Sequence, residues 1–192
     1  MKLTPRIERA ISTAAIAHRK QKRKGSGAPY IVHPYSVMLL ASEVTDDEDT
    51  LIACLFHDII EDAPHNYNEA QMREEYGDRV TDIVLGVTKD DTIKDWHERS
   101  QAYLHKLEHK APDESVIVSL ADKCHNLHAT LQDYDNATNK DAVWRIFKTG
   151  KDSQLWWYQA VLDVGRRRIP KQNSLHHRLK TMIGKLETIV AE

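Results

Sequence analysis

Apolar residues recur at intervals of three and four along almost the whole chain, and strict alternation of apolar and polar residues is nearly absent. Helices stack every third and fourth residue on one face, whereas strands need period two, so the pattern commits the chain to an all-α fold with short connections. Thr4-Pro5 offers a cap oxygen followed by proline at the first helical position, predicting a helix through Ile7, Ile11, Ala14, Ala15 and His18. Gly25 to Pro29 reads as a loop, and Pro34 opens a second helix through Val37, Leu40 and Ala41 with His33 at its mouth. Thr50 to Ile60 is apolar almost all round, which predicts a central buried helix. Asn68-Glu69-Ala70-Gln71 has the form of a capping box, and Gly77 separates that short helix from one over Asp78 to about Val87. Another helix carries Trp96, Tyr103, Leu104 and Leu107, and Pro112-Asp113 opens one holding Val116, Ile117, Leu120, Ala121, Cys124 and Leu127. Asp133 to Lys140 is polar and turn-like; two or three helices follow, the last capped by Ser174.

A chain of 192 residues with 41% hydrophobic and 29% charged residues reads as one soluble globular domain over 1–192, with 174–191 as a C-terminal helix. No apolar run approaches the roughly 20 residues of a membrane span, and the N-terminus lacks a secretory core, so a cytoplasmic protein without a membrane partner is expected. Cys54 and Cys124 sit in apolar helical runs and read as buried free thiols. The net charge of -2 excludes a general attraction to nucleic acid, leaving only local basic clusters. These are Arg19 to Lys24, just before Gly25-Ser26-Gly27, and Arg166-Arg167-Arg168, read as a helix C-terminus where positive charge is favoured.

Chemistry enters where polarity breaks the apolar pattern. His57 and Asp58 interrupt the central helix and Glu61-Asp62 follow one turn later, so that in a continuous helix Asp58 would stack on Asp62 and His57 on Glu61. Several carboxylates at a buried helix end need a cation to offset their desolvation, and a divalent metal would supply it. A helix end fraying into solvent before Pro64 explains this doublet alone equally well. His33, after apolar Tyr30-Ile31-Val32, and Asp122, inside the run from Val116, break the pattern in the same way and complete an H…HD…D set.

That set resembles the metal signature of the HD-domain phosphohydrolases. The segments Arg23 to Pro34, Leu55 to Asp62, Gly86-Val87-Thr88-Lys89 and Leu120 to Leu127 are similar to the hydrolase half of RelA/SpoT-type enzymes and to small alarmone hydrolases, over roughly residues 5 to 130. The resemblance implies an HD-domain helical bundle of roughly eight to ten helices. It implies manganese-dependent removal of the 3′-pyrophosphate from guanosine tetra- and pentaphosphate. Carried over, it makes His33, His57, Asp58 and Asp122 metal ligands and Glu61 and Asp62 catalytic acids or bases. Arg23, Lys24, Ser26 and Asn126 become substrate contacts. Ala63 and His128 depart from the threonine and arginine common in the family, which leaves another purine nucleotide, an adenosine alarmone or a nucleotide monophosphate, as the alternative substrate. Trp144-Arg145 and Leu155 to Tyr158 read either as core or as a wall of the nucleotide site. No second, nucleotidyl-transferring domain is expected in this length, the partner is a small purine nucleotide, and a homo-oligomer stays open.

Overall fold

Eleven helices occur among the described residues of the computed structural model, which are 2–23, 27–147 and 149–191. They are α1 Pro5–Ala17, α2 Val32–Ala41, α3 Glu48–Phe56, α4 Ile59–Asp62, α5 Glu69–Tyr76, α6 Asp78–Val87, α7 Trp96–His109, α8 Asp113–Asn136, α9 Lys140–Trp144, α10 Gly150–Arg168 and α11 Ser174–Ala191. Nine have eight or more residues, within the expected eight to ten, and α4 and α9 are single turns of four and five residues. Among the described residues there is no strand, and no helix is long and apolar enough to cross a membrane.

The caps form largely as the sequence dictates. Thr4 accepts from the Ile7 amide, Asp47 from Thr50, and Asn68 with Gln71 closes a reciprocal capping box. Such caps satisfy amides that have no partner inside the helix, each contributing about 1 kcal/mol. At α11 the cap is not Ser174 but Asn173, whose Oδ1 accepts from the Leu175 and His176 amides at 3.1 and 3.3 Å. α8 also runs on through Asn136, past the turn expected at Asp133, with the Tyr134 ring packed 5.8 Å from that of Trp144.

α8, about 36 Å long at 1.5 Å per residue, is the axle of the fold, with α2, α3, α6, α10 and α11 packed around it. α3 is buried over every residue from Thr50 to Phe56, as its uniform apolarity predicts. A single hydrophobic cluster runs from Ile7 to Leu186, and Cys54 and Cys124 lie inside it as free thiols.

One expectation fails where the chemistry lies. The central helix does not continue through the doublet: α3 ends at Phe56, His57 and Asp58 form a turn, and α4 resumes at Ile59. Asp58 adopts φ −100, ψ −3, and the His57 Nδ1 bonds the Cys54 carbonyl at 2.8 Å, a partner that the ending helix would otherwise lack.

Candidate active site

The turn turns two sequence neighbours toward one point, which an unbroken helix, at roughly 100° per residue, would not do. His57 Nε2 lies 3.0 Å from Asp58 Oδ2 and 3.2 Å from His33 Nε2, brought in by the first turn of α2. Asp122, on α8, places Oδ1 3.1 Å from His33 Nε2 and 3.7 Å from His57 Nε2. His33, His57 and Asp58 all have ligand atoms within 4.8 Å of one another. Donors around an ion at about 2.1 Å stand roughly 3 Å apart when adjacent, so this spacing fits a divalent metal. The tautomer fits too: the Cys54 carbonyl can only accept, so His57 carries its hydrogen on Nδ1 and turns Nε2 to the site.

Further side chains hold these four. Tyr30 donates to Asp58 Oδ2 at 2.5 Å, Asn126 Nδ2 donates to Asp122 Oδ1 at 2.5 Å, the Lys123 ammonium bonds Asp122 Oδ2, and His33 Nδ1 pairs with His125 Nδ1 at 2.8 Å. Burial opposes the charged forms of His57, Asp58 and Asp122, but their mutual attraction prevails. Without a metal the His57 imidazole is held well above its usual pKa by the two carboxylates, Asp58 well below by the histidines, and Asp122 by Lys123 and the histidines.

Glu61 and Asp62 part company. Glu61 is half-buried, accepts from the Lys89 backbone amide, and has its carboxyl pushed up chiefly by burial. Asp62 is exposed and takes a 2.7 Å hydrogen bond from Gln21 Nε2, whose Oε1 in turn accepts from His18 Nδ1 at 2.7 Å. Burial lowers the His18 pKa, and the His18 ring packs 4.9 Å from that of Tyr30. His18, Gln21 and Tyr30 thus support Asp58 and Asp62 from behind. Nothing in the sequence pattern singled them out, because His18 and Gln21 are single polar residues in or beside the basic cluster and Tyr30 reads as part of an apolar run.

Two adjacent spaces adjoin these groups. An inner chamber of about 160 Å³ is lined by His57, Asp58, Glu61, Asp122, Lys89 and Lys123, closed by Val87 and Val118. An outer cleft of about 560 Å³ is walled by Arg23, Tyr30, Asp62, Asn126, Trp157 and Tyr158, and the two share Tyr30, Lys89, Lys123 and Asn126. Arg23 Nη2 bonds Asn126 Oδ1 at 3.1 Å, and its guanidinium lies 5.7 Å from the Tyr30 ring centre. Lys24 and Ser26 lie outside the described residues. Trp157 and Tyr158 are at once buried in the core and part of the cleft wall, so both readings of that segment hold. Ala63 is buried and lines neither space, and His128 faces a separate groove with Leu39 and Arg178. Neither departure from the family pattern therefore reaches the cleft.

The chain is similar to known proteins. The chain is 40% identical to a guanosine-3′,5′-bis(diphosphate) 3′-pyrophosphohydrolase of Aquifex aeolicus (strain VF5) over 122 residues, 63% of this chain and 17% of that protein. It is 36% identical to the bifunctional (p)ppGpp synthase/hydrolase SpoT of Escherichia coli (strain K12) over 126 residues, 64% of this chain and 18% of that one. It thus spans less than a fifth of the length of these relatives. Among solved structures, a metazoan ortholog of SpoT described as hydrolysing ppGpp superposes with a TM-score of 0.78 at 23% identity, covering 96% of this chain and 97% of its own, which establishes the shared fold. The HD domain profile matches residues 10–149, well over half of the sequence, and the chain belongs to the HD-domain family.

Proposed function

We propose that this domain is a manganese-dependent hydrolase that removes the 3′-pyrophosphate of guanosine tetra- and pentaphosphate, (p)ppGpp, leaving GDP or GTP and pyrophosphate. The observation that carries the reading is the inner chamber, where His57, Asp58, Asp122 and the half-buried Glu61 face one space, with His33 packed against the first three, beside a cleft of nucleotide size. The names of the relatives supply the substrate. An HD domain holds a divalent metal, and His33, His57, Asp58 and Asp122 are the residues that would hold it here. Such an ion polarises a phosphoryl oxygen and makes water more acidic.

The rest of the reaction falls to the chain. Water adds to the phosphorus next to the ribose, the bond from that phosphorus to the 3′ oxygen breaks, and the pyrophosphate departs carrying the water's oxygen. The 3′ oxygen takes up a proton. Glu61, raised by burial and fixed by the Lys89 amide, is placed to accept the water's proton, a role contributing roughly 10²- to 10⁴-fold in rate. Asp62, which lines the cleft, would meet the departing 3′ oxygen. Arg23 stacks on the purine and Asn126 meets the ribose side, with Lys24 and Ser26 assigned to the same loop by resemblance. Residues 1–192 are read as one HD-type domain in which α11 closes the bundle, since Leu175, Leu179 and Leu186 join the common core.

Purified protein with manganese should release pyrophosphate from guanosine tetraphosphate, and Glu61→Gln should lower kcat by roughly 10²-fold or more. A metal-loaded preparation that yields orthophosphate from mononucleotides and no pyrophosphate from the alarmone would sink the substrate assignment. An adenosine 3′-diphosphate hydrolysed in preference would redirect it to the other purine.

A further inference from the structure

Among the described residues that line the inner chamber, Lys89 is the lysine without a carboxylate partner. Its ammonium makes no hydrogen bond or ion pair among the described residues; it lies 4.7 Å from the centre of the Trp157 ring and 5.9 Å from that of Tyr103. The neighbouring Lys123 shares the same two rings, at 5.4 and 5.6 Å, but is bonded to the Asp122 carboxylate. Burial and the repulsion of Lys123 bring the Lys89 amine down to about 8. A lysine beside aromatic rings commonly lays its stem on them and leaves its ammonium in water. Lys89 instead lines both the inner chamber and the outer cleft. The segment that carries it is pinned by Lys106, whose ammonium bonds the Leu85 carbonyl at 2.8 Å and that of Thr88.

Size decides which part of a substrate meets it. The inner chamber, at about 160 Å³, is smaller than the roughly 300 Å³ of pockets that enclose a drug-sized ligand, so a nucleoside stays in the outer cleft with Arg23. What reaches past the metal-ligand cluster is phosphate. We propose that Lys89, held on the Trp157–Tyr103 rings, receives the distal phosphate of the substrate's 3′-diphosphate and so selects a diphosphate over a monophosphate at that position. This rests on the reading of the site as a 3′-pyrophosphohydrolase and adds a determinant that the metal cluster does not contain. The rings raise the ammonium's attraction for an anion by excluding water without neutralising the charge.

The test is calorimetric titration of manganese-loaded protein with inorganic pyrophosphate and with orthophosphate, for wild type, Lys89→Met and Lys89→Arg. Methionine keeps the stem on the rings and removes the charge; arginine keeps the charge. Pyrophosphate binding is expected to weaken roughly ten- to hundredfold in Lys89→Met, orthophosphate binding much less, and Lys89→Arg to recover most of the loss. In turnover, the fall in kcat/KM on a 3′-diphosphate nucleotide should be at least about tenfold larger than on its 3′-monophosphate counterpart. Equal losses for both, no loss, or a wild type that does not bind pyrophosphate overturns the assignment; Lys89→Gln serves as a second neutral variant should the methionine form fail to fold. Wild type that binds pyrophosphate through Lys89 but releases none from any nucleotide would sink the functional reading and leave this one standing. Robust hydrolysis untouched by Lys89→Met would do the reverse.

Discussion

At the scale of residues, His57 is where folding and chemistry meet. Its Nδ1 ends α3 by taking the Cys54 carbonyl, and its Nε2 faces Asp58, so the metal-free imidazole keeps protons on both nitrogens, as its raised pKa requires. A metal needs that Nε2 bare. Uptake of the ion at neutral pH should therefore release about one proton, seen as a heat that changes with the ionisation enthalpy of the buffer. Below the raised pKa of His57 affinity should fall about tenfold per pH unit, and above it level off, since Asp58 and Asp122 stay ionised throughout. Uptake without proton release would mean that His57 is already neutral. His33, His57, Asp58 and Asp122, which the fold brings together, stood out in the sequence because each breaks an apolar run, a signal one sequence can carry. Tyr30 and Lys123, which hold Asp58 and Asp122, and Gln21 and His18, which hold Asp62, carry no such signal: their roles arise from contacts between the end of α1, the basic loop, α4 and α8 that only the fold creates.

At the scale of elements, cap chemistry and proline placement set most boundaries, while the break between α3 and α4 was hidden because His57-Asp58 fits a helical period perfectly well. The close approach of α6 to α8 was hidden too. A Cβ on Gly86 would stand 2.2 Å from Ser115 Oγ, 2.8 Å from its Cβ and 3.0 Å from the Ala111 Cβ, and would disturb the 2.8 Å bond from Ser115 to the Ile83 carbonyl. The two Cβ atoms are fixed to backbone and cannot swing aside, and the hydroxyl can do so only by giving up that bond. A Cβ on Gly165 would meet only the end of Leu120, at 2.9 and 3.0 Å from its methyls. Gly86→Ala should thus destabilise by about 1 to 3 kcal/mol, overpacking exceeding the gain of up to about 1 kcal/mol in helix propensity. In Gly165→Ala the two effects nearly cancel, to within about 1 kcal/mol. Urea midpoints at unchanged m-value will rank them, and the opposite order would refute this account of the α6–α8 contact.

At the scale of the molecule, the all-α class and the burial of α3 followed from periodicity, which is a local property. The division of the site into an inner chamber and an outer cleft did not, because a cavity is what helices leave between them and no stretch of sequence encodes it. That division also sets an order in time. The two products of the proposed reaction would lie in series, pyrophosphate within and nucleotide without, across the shared wall of Tyr30, Lys89, Lys123 and Asn126. The nucleotide must then leave first. Pyrophosphate, left behind in the free enzyme's own site, should inhibit competitively against substrate, while GDP should inhibit noncompetitively; the reverse pattern in steady-state product inhibition would mean that pyrophosphate leaves by another route. A chamber too narrow for a nucleoside would thereby act as a queue, with turnover governed by the smaller of the two products.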